Sequence, residues 1–128
     1  MTKVMVFGTF DVLHQGHIDF FRQAKKHGDF LIAVVARDST TKQIGKNIMQ
    51  NENERLNSVK QFADLAVLGN SGDKYKIIQE HKPDIICIGY DQTHFVDGLS
   101  NIPIKIIRLK PHQEHIFKSS LIRNSIRN

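Results

Sequence analysis

No tryptophan occurs in this chain, and its one cysteine, Cys87, has no partner with which to close an internal disulfide. Cys87 sits in an apolar run and reads as a small core residue. A chain without disulfides fits a reducing compartment, so the cytoplasm is the expected location. No stretch approaches the roughly 20 apolar residues of a membrane span, so no membrane partner is expected. The first residues run straight into an apolar segment, Lys3-Val4-Met5-Val6-Phe7, without a charged-then-apolar leader pattern. There is no repeat, no low-complexity stretch and no Pro/Gly-rich linker, and only three prolines in all. The phenylalanines fall mostly in apolar patterns, so no basic-aromatic stripe offers a platform for single-stranded nucleic acid.

What is present suits one soluble domain over residues 1–128, with 40% hydrophobic and 24% charged residues. The net charge of +5 comes from 18 Lys+Arg against 13 Asp+Glu. It favours an anionic ligand, either a nucleotide or nucleic acid. Only the basic pI speaks for nucleic acid, so none is expected as a partner.

Residues 3–8 form a short apolar run ending at Gly8, and residues 30–35 and 85–88 form two more. Continuous rather than alternating apolar strands indicate burial on both faces, as in a parallel sheet covered by helices. Residues 65–68 and 104–109 add two further strands. Helices are expected over 17–27, with Gly28 as a left-handed stop, over 53–62, over about 73–81 with Asp73 as cap, and over 121–127. Lys82-Pro83 ends the third of these. The polar residues 39–51 read as an exposed loop. The predicted fold is α/β: a single doubly wound Rossmann-like domain, with a five-stranded mostly parallel sheet and helices on both faces. Its site is expected at the carboxyl ends of the strands.

The strongest chemical signal is Gly8-Thr9-Phe10-Asp11-Val12-Leu13-His14-Gln15-Gly16-His17, where the first strand gives way to the first helix. Gly8 and Gly16 let backbone approach a ligand closely. A helix start presents free N–H groups and the positive end of its dipole to an anion. His14 and His17, three residues apart, can turn both imidazoles to one side of that entrance and donate to phosphate oxygens. Such fixed donors lower the barrier to nucleotidyl transfer, because charge gathers around the α-phosphorus and on the leaving pyrophosphate. No covalent enzyme intermediate is required when the acceptor phosphate is the nucleophile.

This segment resembles the signature of the HxGH nucleotidyltransferase superfamily, in its cytidylyltransferase-like branch, and the likeness extends over almost the whole chain. The resemblance implies that His14 and His17 bind the triphosphate. It implies that Gly8, Thr9, Phe10 and Gly16 line the nucleotide, and that Asp11 lies near the acceptor or the metal. Lys42 and Lys46 match lysines of a lid-like loop, with Lys46 counted among the catalytic groups, and Arg55 matches an arginine that follows this loop. Ser119 and Ser120 can cap a helix and give hydroxyls and N–H groups to the triphosphate, with Arg123 one turn further on. Asp91 and Gln92, emerging after a buried strand, are candidates to read base or ribose, and Tyr90 to stack on a ring.

Two subfamilies are similar to this chain. Val34-Val35-Ala36-Arg37-Asp38, Ala66-Val67-Leu68-Gly69, and Lys82-Pro83-Asp84-Ile85-Ile86 followed by Gly89-Tyr90-Asp91-Gln92-Thr93 look closer to the archaeal-type FAD synthases, which implies transfer of AMP from ATP to FMN. The alternative is a CTP-dependent transfer to glycerol 3-phosphate or a similar phospho-alcohol. The Arg-Thr-x-Gly-Ile-Ser-Thr-Thr type stretch of those cytidylyltransferases is replaced here by residues 110–120, which lack its arginine and glycine. A non-catalytic nucleotide-binding module is a third reading. The expected cofactor is Mg²⁺ (or another divalent cation), held mainly through the triphosphate without a dedicated protein site. His112 and His115, with His94, have no Cys pair to complete a zinc site. The resemblance also implies a homodimer.

Overall fold

The computed structural model describes residues 1–43, 45, 47–70, 75–90, 92 and 102–111. Along the chain come β1 (Lys3–Gly8), α1 (Gln15–Lys25), β2 (Phe30–Val35), α2 (Asp38–Gln43), α3 (Glu52–Val59), β3 (Leu65–Leu68), α4 (Lys76–His81), β4 (Ile85–Ile88) and β5 (Lys105–Arg108). The five strands form one sheet in the order β3-β2-β1-β4-β5. Every pairing is parallel, so the sheet is wholly rather than mostly parallel.

The continuous apolar runs have a simple cause. Side chains alternate across a strand, and both faces of this sheet are covered. Val4 and Val6 of β1, Leu31 and Ala33 of β2, and Cys87 of β4 share one core with Phe21 and Ala24 of α1 and Val59 of α3. Met5 and Phe7, Ile32 and Val34, and Ile86 and Ile88 face the other core, with Ile77 and Ile78 of α4. Burial pushes the Cys87 thiol up to about 11, which leaves it an inert core group.

Three aspartates set the register at the amino end of the sheet. Each stands one residue before a strand and accepts the N–H of a residue on, or at the start of, the neighbouring strand. Asp29 accepts from Thr2 at 2.9 Å, Asp64 from Leu31 at 2.8 Å and Asp84 from Lys3 at 2.8 Å. The chain fills the sheet outward from β1 to β2 and β3, then returns to β4 and β5 on the other side. The strand order therefore reverses between β1 and β4, and the carboxyl ends there are the expected position of a ligand in such a sheet.

Several boundaries differ from the sequence reading. Helix α1 starts earlier, at Gln15, because His14 itself caps it. Gly28 is not a left-handed stop: the helix closes on Lys26 in right-handed geometry. Gly28 is needed for space instead, since a Cβ there would lie 2.6 Å from Val4 Cγ2 and 2.7 Å from the Thr2 carbonyl oxygen. Residues 38–43 are helical rather than loop. A helix this polar shows no apolar period, and tertiary contacts hold it: Thr41 is fully buried, Asp38 Oδ1 accepts from Arg55 at 2.8 Å, and the Asp38 N–H donates to Glu52 at 2.9 Å. Helix α3 begins at Glu52 behind the Asn51 cap and ends at Val59. Helix α4 ends on Lys82, left-handed at φ 48°. The expected Asp73 cap and the helix over 121–127 lie outside the described residues. Among the described residues no helix is long and apolar enough to cross a membrane.

Candidate nucleotide-binding site

The turn between β1 and α1 is strained and tightly packed. Phe10 and Val12 are both left-handed, at φ 56° and 48°, which costs energy for residues with side chains of that bulk. Phe10 is buried, its ring 5.1 Å from that of Phe21 and 6.1 Å from that of Phe20. It also passes over Gly8, where a Cβ would come within 2.6 Å of Phe10 Cζ. The glycine at position 8 therefore makes room for a buried phenylalanine, and Phe10 supports the site from beneath.

The two histidines cap the helix they introduce. The Gly16 N–H donates to His14 Nδ1 at 3.0 Å, and the His14 N–H donates to His17 Nδ1 at 3.2 Å. Histidines at the cap and three residues on thus replace the usual Ser/Thr and Glu of a capping box. A Cβ at Gly16 would stand 2.8 Å from His14 Cε1, so this ring position requires the glycine. The rings lie 4.1 Å apart, and Phe10 meets the His17 ring nearly edge-on, 6.0 Å away.

This cap decides where the protons sit. A nitrogen that accepts a hydrogen bond carries no proton, so both Nδ1 atoms are bare and each neutral ring is protonated at Nε2. His17 is held at about 4, first by partial burial and then by the neighbouring His14, against an opposing pull from Asp11. It is therefore a neutral N–H donor at physiological pH.

A stability consequence follows. The unfolded chain takes up a proton on His17 near 6.5, whereas the folded chain resists until about 4. In that window the unfolded state binds more protons, so stability is lost as pH falls from 6.5 towards 4. Thermal unfolding across this range is expected to decline more steeply in the native chain than in His17→Gln. Equal slopes would mean that His17 titrates normally in the fold.

Asp11 is engaged by backbone. Its Oδ2 accepts from the Met49 N–H at 2.8 Å and its Oδ1 from the Gln50 N–H at 2.9 Å. Gln50 reciprocates, its Oε1 accepting from the Val12 N–H at 2.9 Å. The segment before α3 is thereby fastened to the histidine turn.

Arg55 is turned into the protein. It is fully buried. Its Nε donates to the Gln50 carbonyl at 3.1 Å, and its Nη1 donates to the carbonyls of Thr9 at 2.8 Å and Ala36 at 2.7 Å. Its Nη2 meets Asp38 at 2.8 Å. That hydrogen bond holds the Asp38 carboxyl below the ordinary carboxylate range. Arg55 joins the ends of β1 and β2 to the start of α3.

Gln92 is likewise engaged. Its Oε1 accepts from the Gly89 N–H at 2.6 Å and its Nε2 donates to the Phe7 carbonyl at 2.7 Å. It ties β4 to β1 where the strand order reverses, and both ends of its amide are taken. Arg108, which sequence reasoning missed, clamps the same loop by donating from Nη1 to the carbonyls of Gly89, Tyr90 and Gln92. No local pattern announces such a role, because it depends on β5 lying beside β4. Tyr90 is 49% exposed at this edge. Lys42 is exposed on α2, beyond the carboxyl end of β2. Lys46, Asp91, Ser119 and Ser120 lie outside the described residues, as do His94, His112, His115 and Arg123. Among the described residues no three His, Cys, Asp or Glu gather to hold a metal ion.

Residues 5–125 match the cytidylyltransferase-like family. A FAD synthase of Thermoplasma volcanium is 41% identical over 98% of this chain and 94% of its own length. One from Aciduliprofundum boonei is 41% identical over 88% of this chain and 80% of its own. Among solved structures, a Thermoplasma volcanium chain described as a lipopolysaccharide core biosynthesis protein is 42% identical, with a TM-score of 0.81 over 88% of this chain and 98% of that one. Pantoate-beta-alanine ligase from Francisella tularensis is 18% identical, with a TM-score of 0.53 over 99% of this chain and 72% of its own, a likeness of fold.

Proposed function

The chain belongs to the cytidylyltransferase-like family, and on that premise we propose that it is a nucleotidyltransferase of the FAD synthase type, transferring AMP from ATP to FMN. Relatives named FAD synthase, about 40% identical over nearly the full length, carry this reading.

In the reaction an FMN phosphate oxygen attacks the α-phosphorus of ATP. A new P–O bond forms there, the α–β bridging bond breaks, and pyrophosphate leaves. The Nε2–H groups of His14 and His17 donate to oxygens that gain charge in this step. Because His17 is neutral, it donates a hydrogen bond without surrendering a proton. The start of α1 adds the positive end of its dipole. Phe10 and the Asp11 bonds keep these groups fixed, so little reorganisation accompanies charge development.

Met49, 85% exposed on the segment fastened to Asp11, and half-exposed Tyr90 at the end of β4 offer apolar surface at this sheet edge. A flat heteroaromatic acceptor can use such surface, and a small phospho-alcohol cannot. We assign Lys42 and Lys46 to the triphosphate, Ser119 and Ser120 to the same group, and Asp91 to the nucleoside. Thr9 is placed beside the nucleotide, with its carbonyl held from behind by Arg55. Mg²⁺ would be held mainly by the triphosphate, where it would neutralise negative charge. Asp11, whose oxygens also accept the Met49 and Gln50 N–H groups, would be the carboxylate in the vicinity of that ion or of the acceptor phosphate. The enzyme works in the cytoplasm as a homodimer, which sedimentation of the purified chain would test.

The deciding assay offers ATP or CTP with FMN or glycerol 3-phosphate, in the presence of Mg²⁺, and follows pyrophosphate and product. FAD is expected from ATP and FMN. CDP-glycerol without FAD would assign the chain to the other acceptor class. Tight nucleotide binding without turnover on either acceptor would make it a binding module.

A further inference from the structure

We infer that Gln50 is a positioning residue for the transfer step: its side-chain amide holds Val12 in the left-handed region and so fixes how the chain enters the histidine pair. The inference rests on the nucleotidyl-transfer reading for its kinetic consequence, and on bond geometry for everything else. Val12 is β-branched, left-handed at φ 48° and 47% exposed. Glycine would take that conformation without cost. A half-exposed valine has little packing to enforce it, so something else must. The Val12 N–H donates to Gln50 Oε1 at 2.9 Å, across 38 positions of sequence.

Gln50 can act as a brace because its own backbone is fixed on both sides. Its N–H donates to Asp11 Oδ1 at 2.9 Å, and its carbonyl accepts from buried Arg55 Nε at 3.1 Å. The preceding N–H, of Met49, donates to Asp11 Oδ2 at 2.8 Å. Only the oxygen end of an amide accepts, so the bond to Val12 also fixes which way the amide faces.

Two residues beyond Val12 stands His14, whose N–H meets His17 Nδ1 and whose Nδ1 caps Gly16. Rotation at Val12 redirects both imidazoles. Gln50 is assigned no contact with substrate or reacting atoms; it acts through Val12.

The test is a cycle in the full-length chain: Gln50→Leu, Val12→Gly and the double variant. Pyrophosphate release is measured with ATP and FMN, thermal unfolding alongside it, and nitrogen NMR of the His14 and His17 imidazoles without substrate. Gln50→Leu is expected to lower kcat about 10-fold or more, with KM for ATP changed less than about threefold. It should also shift both Nδ1 resonances. On the Val12→Gly background, where residue 12 needs no brace, the same substitution should cost no more than about threefold.

A loss of equal size on both backgrounds would overturn the proposal, as would a Gln50→Leu variant with wild-type kcat and unmoved imidazole resonances. If Gln50→Leu does not fold, recovery of folding in the double variant supports the brace, and failure in both backgrounds overturns it. A native chain that makes no FAD would count against the proposed reaction, whereas the imidazole resonances report on the brace without turnover.

Discussion

Alanine at position 17 is expected to lower kcat by about 100- to 1,000-fold, with a much smaller change in KM for ATP. The imidazole Nε2–H is a fixed donor whose value lies in charge that develops only as the α–β bond breaks. His17 has a second duty, however, since its Nδ1 accepts the His14 N–H at 3.2 Å. His17→Ala removes both. His17→Gln separates them, because glutamine three residues after the cap can still accept the backbone N–H. The glutamine variant should therefore unfold close to the native temperature and still lose most of kcat. A loss confined to KM for the acceptor would place His17 in acceptor binding instead. Recovery of native kcat in His17→Gln would reduce the histidine to a cap.

The second large effect is on stability. Arg55→Met should cost about 3 kcal/mol or more, because it removes the buried guanidinium that donates to the carbonyls of Thr9, Ala36 and Gln50. In a chain of this size that is a fall in Tm of about 10 °C or more. Lysine recovers part of it at best, since one ammonium cannot span acceptors that a planar guanidinium reaches together. The variant that remains folded should also turn over slowly, because the Thr9 carbonyl is part of the strained turn leading to His14. A Tm within a few degrees of native would show that water replaces the guanidinium at no great cost, contrary to its complete burial.

Arg55 also shows why some roles were illegible in sequence. An arginine after a polar loop looks like a phosphate ligand or a surface group. That its guanidinium closes on three carbonyls from separate segments depends on where β1, β2 and α3 meet. Gln92 is similar: its position after β4 was readable, but its bond to the Phe7 carbonyl exists only because β4 lies beside β1. Residues 38–43 escaped recognition as a helix because their stability comes from Asp38–Arg55 and buried Thr41 rather than from an apolar stripe. Arg108 and the aspartates 29, 64 and 84 gave no signal that could be told from ordinary surface charge. The central strands were legible because burial on both faces leaves an unbroken apolar run. The histidine turn was legible because its glycines and histidines are contiguous.

Local sequence specified the apolar strands with their two-sided burial and the histidine cap that opens α1, since these depend on side-chain alternation and on hydrogen bonds two or three residues apart. The tertiary structure decided which polar groups remain available for a ligand. It gave Arg55 and Gln92 to the scaffold and set Gln50 against Val12. These assignments depend on hydrogen bonds between segments tens of residues apart, and no local pattern encodes such pairings.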